Sequence, residues 1–174
     1  LFYTHGAIFV ALKTDGHLRV RAGALAFKAG LITAVLAVVF LLWAQLAYSD
    51  KVWTWATVLL AAACWVAAVL HSKLGKEGWA FVFSSGTLLL AVASLFGMLF
   101  PYVMPNVERT LANSLTIYNA SSTEGTLKIM TIVAVVMTPI VLLYQGWTYW
   151  VFRKRLTAEM IPAPEVGTLD APVA

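Results

Sequence analysis

Three histidines, one cysteine and a polar stripe with a seven-residue repeat are the groups in this chain whose chemistry reaches beyond packing. His5 stands in an apolar run about two turns before Lys13, where an imidazole can ligate a metal, relay a proton or bond across a helix interface. A hydrogen-bonded packing role is the ordinary reading, and a place in an internal polar pocket is the sharper one. His17 and His71 fall in short basic connections and read as solvated loop residues. Cys64 lies midway along an apolar stretch, so this chain offers it neither a disulfide partner nor a cysteine metal site. Thr131, Thr138 and Gln145 share one helix face, with Thr148 and Tyr149 joining them at the far end. Gln145 is costly to leave against lipid, so this face is expected to meet a partner. No ionisable side chain sits at the centre of a complete span, and no catalytic or metal-ligating set is predicted.

The elements that must position these residues are membrane spans. Hydrophobic residues make up 61% of the 174 residues and charged ones 11%, with a mean hydropathy of +0.83. A water-soluble domain cannot hide so much apolar surface. The net charge of +4 does not mark a nucleic-acid binder, because the basic residues cluster at the ends of the apolar spans. Segments at about 22–48, 52–70, 78–100 and 126–152 are each long enough to cross a bilayer as a helix. Residues 1–13 are too short to span, and their charges are on the wrong side for a signal peptide; they are expected to be the tail of a helix that begins before Leu1.

The expected fold is therefore an all-α membrane protein, a transmembrane four-helix bundle plus a peripheral helix, with one partial and four complete spans in this chain. Residues 1–104 form the bundle, 105–125 an extracytoplasmic loop, 126–155 the peripheral helix and 156–174 a disordered cytoplasmic tail. No charge interrupts the chain between Glu77 and Glu108, and Pro101 and Pro105 predict an irregular exit after Phe100. Ser84, Thr87, Ala91, Ser94 and Met98, with Gly97 beside them, form a small-residue stripe of the kind that packs helices in lipid. Ser121 and Glu124 fit a capping box for the last helix, in which Pro139 predicts a kink. Asn119-Ala-Ser121 matches a glycosylation triplet, but the turn chemistry accounts for it without a sugar.

Orientation follows from the basic residues. Lys13, Arg19, Arg21, Lys28, Lys73, Lys76, Arg153, Lys154 and Arg155 lie on one side, and Lys51, Arg109 and Lys128 on the other. The first set is expected in the cytoplasm, together with the C-terminus.

Particular wording carries the reading further. Trp79-Ala-Phe-Val-Phe-Ser-Ser85, Phe100-Pro-Tyr-Val-Met-Pro105, Asn113-Ser-Leu-Thr-Ile-Tyr-Asn-Ala-Ser-Ser122 and the run from Val133 to Tyr144 with Trp147-Thr-Tyr-Trp150 closely resemble the C-terminal half of subunit II of cytochrome bd quinol oxidase. The resemblance implies a prokaryotic plasma-membrane complex that oxidises quinol, reduces dioxygen to water and builds a proton gradient. It implies heme b and heme d in subunit I, with none ligated by this chain. Subunit I, quinol or quinone, membrane lipids and small accessory subunits are the implied partners, and nucleic acid is not among them. On this resemblance Thr131, Thr138, Gln145 and Tyr149 face subunit I or lie beside a quinone, and the chain is scaffold. The reading from another class is a small-molecule transporter, whose broken helices or midplane charges are not evident in the sequence.

Overall fold

The computed structural model describes residues 1–49, 51–106 and 114–157. In a bilayer core an unpaired peptide group finds no water, so an uncharged chain closes its own hydrogen-bond ladder. Among the described residues five helices result: α1 (Phe2–Lys13), α2 (Gly16–Tyr48), α3 (Trp53–Lys73), α4 (Glu77–Leu99) and α5 (Glu124–Val151). A small hairpin, β1 (Tyr102–Met104) with β2 (Leu115–Thr116), stands between α4 and α5. The chain is an all-α membrane protein, in which α2 to α5 are each long and apolar enough to cross a bilayer.

Several element ends differ from expectation for identifiable reasons. α2 begins at Gly16 rather than near Ala22, because the Asp15 carboxylate accepts from the Gly16 amide at 2.9 Å and starts the helix early. His17 is therefore a helical residue, though an exposed one. α3 runs on to Lys73 and closes in a tight turn, in which Gly75 has a φ of 69° and the amides of Gly75 and Lys76 return to the carbonyls of Ser72 and His71. His71 thus belongs to the last turn of α3; its Nδ1 lies 2.8 Å from the Ala67 carbonyl and its ring 5.2 Å from that of Phe83. It is half-buried, not a solvated loop residue.

The exit after α4 is ordered pairing rather than irregular chain. Tyr102 opposes Thr116 and Met104 opposes Leu115, with a bulge between the two pairs. The Asn119 side chain closes this landing by accepting from the Thr116 amide at 2.6 Å and donating to the Ser114 carbonyl at 3.0 Å. The last helix starts at Glu124, with Thr123 as its cap residue, so the capping box expected at Ser121 does not form. As the first helical residue Glu124 is not at the third position from which a carboxylate reaches back. α5 continues through Pro139. Arg109 and the tail from 158 onward lie outside the described residues.

Helices α1 to α4 pack as two pairs, α1 with α2 and α3 with α4, joined through α2–α3 and α1–α4 contacts. Small residues decide how close they come. The expected stripe on α4 is turned inward, with Ser84, Thr87, Ser94, Gly97 and Met98 all buried. Thr87 and Ser94 donate to carbonyls one turn back, at 3.0 Å from Phe83 O and 2.7 Å from Leu90 O, so their hydroxyls enter the interior already satisfied. Gly30 admits Val69 where a Cβ would come to 2.8 Å of it, and Gly97 admits the ring of Trp53. Two small apolar clusters fill the bundle, Ala7, Ile8, Ala26 and Ala80 at one level and Ala44, Val58 and Met98 at the other. α5 buries none of its residues against this chain.

Candidate functional site

His5 projects from α1 toward α4. Its Nδ1 lies 2.8 Å from Ser84 Oγ, and its ring stacks on Phe81 at 4.8 Å between centroids. Ser84 spends its own proton on the Phe81 carbonyl at 2.9 Å, so Nδ1–H of His5 is the donor and, in the neutral ring, Nε2 keeps its lone pair as an acceptor. The half-buried imidazole is thus tied into a helix contact through one nitrogen and one face. Beneath it, Thr4 and Thr33 join α1 to α2 through hydroxyls 3.3 Å apart.

Among the described residues the densest ionic cluster lies at the basic end. Glu77, buried at the start of α4, receives Arg19 Nε on one carboxylate oxygen at 2.7 Å and Arg155 Nη2 on the other at 3.4 Å. Arg155 also donates to the Thr14 carbonyl at 3.3 Å, Lys13 Nζ to the Phe152 carbonyl at 2.6 Å, and the Leu156 amide to the Lys13 carbonyl at 2.7 Å. Together these bonds fasten the segment after α5 to the α1–α2 connection. A T-shaped contact between Phe9 and Tyr149, 6.2 Å between centroids, adds an apolar point of attachment.

A second polar cluster closes the opposite end. Gln45 on α2 is fully buried and donates to Thr54 Oγ1 on α3 at 2.8 Å, while Thr54 donates to the Lys51 carbonyl at 2.7 Å. Lys51 in turn donates to the carbonyls of Gly97, at 3.2 Å, and Phe100, capping the end of α4 with its charge. Helical spacing singles out Gln145, whereas Gln45 stands in no comparable stripe. A glutamine near the end of a span, followed by Ser49 and Thr54, was the available signal.

The α5 stripe is placed on the outside of the chain. Thr131 and Thr148 return their hydroxyls to Leu127 and Tyr144 at 2.8 and 3.0 Å, and Thr138 and Gln145 are exposed. Tyr149 is exposed too, apart from its edge contact with Phe9. His5 and this stripe are therefore not brought together into one pocket, and among the described residues no group of three His, Cys, Asp or Glu side chains converges.

An all-α, multi-pass membrane protein in which His5, Gln45 and Glu77 tie separate helices together is what this arrangement defines. The chain matches the family described as cytochrome bd terminal oxidase subunit II over residues 1–152. It is 33% identical to the cytochrome bd-I ubiquinol oxidase subunit 2 of Escherichia coli K12, over 92% of this chain and 51% of that protein. It is 36% identical to the cytochrome bd ubiquinol oxidase subunit 2 of Bacillus subtilis 168, over 90% of this chain and 47% of that protein. A probable cytochrome oxidase subunit 2 of Haemophilus influenzae matches at 26%, over 92% and 51%. The chain belongs to the cytochrome bd terminal oxidase subunit II family, and it spans about half the length of these curated relatives.

Proposed function

We propose that this chain is a scaffold portion of subunit II in a terminal oxidase that couples quinol oxidation to the reduction of dioxygen to water and generates a proton gradient. The observation that carries this reading is the family match across residues 1–152. The side-chain geometry agrees with a supporting role. His5 and His71 each spend Nδ1 on a local bond, to Ser84 Oγ and to the Ala67 carbonyl, in the manner of side chains that fasten helices. The family resemblance assigns heme b and heme d to subunit I, where the quinol is oxidised.

The α5 face bearing Thr131, Thr138, Gln145 and Tyr149 is assigned to contact with subunit I or with a quinone beside it, since these residues are exposed among the described residues, Tyr149 apart from its edge contact with Phe9. The basic end is assigned to the cytoplasm of a prokaryotic plasma membrane, the hairpin between α4 and α5 to the outside, and small accessory subunits to the periphery of the complex. Family membership gives the transporter reading no support. The test is purification of the complex through a tag on the full-length subunit. Haem d absorption and quinol-dependent oxygen uptake are expected in the product, and their absence from an intact complex overturns the proposal.

A further inference from the structure

We propose that the cleft between α2 and α3 at the basic end is a binding site for an anionic phospholipid, with its phosphate at Lys73 and an acyl chain lying along the helix pair. A cavity of about 670 Å³ opens here, and its polar wall is made by Asp15, Arg19, Ser72, Lys73 and Glu77. An apolar groove of about 230 Å³, walled by Leu31, Ala34, Trp65, Val66 and Leu70, adjoins it. The two share Phe27 and Lys73, so a polar mouth leads directly into a hydrocarbon-lined channel. From Phe27 to Ala34 the channel follows α2 for about 10 Å, against about 15 Å for the hydrocarbon of one leaflet. A polar head joined to a long apolar chain fits that sequence of surfaces.

Charge selects the kind of head. Both carboxylates at the mouth are engaged, Glu77 by Arg19 and Arg155 and Asp15 by the Gly16 amide at 2.9 Å and Arg19 at 3.9 Å. Lys73 has no carboxylate in ion-pair range among the described residues; its ammonium stands over the Phe27 ring at 5.3 Å. Lys76 and the other basic residues of this rim add a positive field that only Asp15 and Glu77 oppose among the described residues. Such a field favours a negatively charged head over a zwitterionic one. Lys73 can follow the phosphate on its flexible stem while its methylenes cover Phe27.

The test uses the full-length subunit in its purified complex, placed in phosphatidylcholine nanodiscs with a trace of phosphatidylglycerol carrying a diazirine on one acyl chain. After illumination, labelled peptides are expected from the Phe27–Ala34 and Trp65–Leu70 stretches. K73Q should lower that labelling about fivefold, toward the level given by diazirine-phosphatidylcholine, while K73R keeps it. K128Q, at the opposite end, should leave it unchanged. Equal labelling by phosphatidylcholine means ordinary boundary lipid and overturns the site, as does unchanged labelling in K73Q or displacement of the label by added long-chain quinone. The readout is peptide mass, so its failure is separate from any failure of oxygen uptake.

Discussion

Glu77 concentrates two arginines from distant parts of the chain on one carboxylate, Arg19 from the first turns of α2 and Arg155 from beyond α5. The arginines keep about a third of their side-chain surface in solvent, 37% for Arg19 and 33% for Arg155, so the cluster is worth less than a fully buried one. Glu77→Gln is expected to cost about 1–2 kcal/mol and to expose the segment after α5 to protease, as read by thermal unfolding and limited proteolysis of the purified complex. Unchanged melting and unchanged cleavage would show that the cluster carries no load. The basic residues of this cluster were legible as topology markers. Their partner was not, because charge counting sees which end a residue is on and not which carboxylate folds back to it.

At the scale of elements, α5 differs from the other spans in burying none of its residues, so that Thr131, Thr138 and Gln145 of its polar stripe stand uncovered while Tyr149 touches Phe9. A glutamine amide facing hydrocarbon loses its bonds to water with nothing in return, which makes Gln145 the sensitive position of that face. Gln145→Leu is expected to reduce the subunit I recovered with tagged subunit II about fivefold, whereas Leu143→Ala, on the opposite side of the helix, leaves recovery unchanged. Equal recovery in both variants would remove the interface assignment. The two stripes show how far periodicity reaches. On α4 the stripe Ser84, Thr87 and Ser94 is buried; on α5 the same kind of pattern lies on a helix that buries none of its residues, and its assignment to an outside partner is the proposal that Gln145→Leu tests.

For the whole molecule, the two ends of the bundle are closed by different chemistry: ion pairs around Glu77 at the basic end, and the Gln45–Thr54–Lys51 chain of hydrogen bonds at the other. This asymmetry accompanies the charge bias from which orientation is assigned. In intact cells, with Cys64 replaced by Ala, a membrane-impermeant maleimide is expected to label Tyr118→Cys in the landing after β2 and not Lys76→Cys in the α3–α4 turn. Both positions are exposed, so access alone decides the outcome, and the reverse pattern would invert the topology.

Apolar run length and the placement of basic residues were enough to determine an all-α membrane chain and the approximate course of every span, because the cost of leaving peptide groups or charges in hydrocarbon depends on local composition. Specific wording between Trp79 and Trp150 was enough to identify the family. Only the tertiary structure decided which polar groups meet: His5 with Ser84, the Gln45 amide nitrogen with Thr54, Glu77 with two arginines. Those pairings join residues far apart along the chain, and helical periodicity fixes the face a side chain occupies without fixing the helix that comes to meet it.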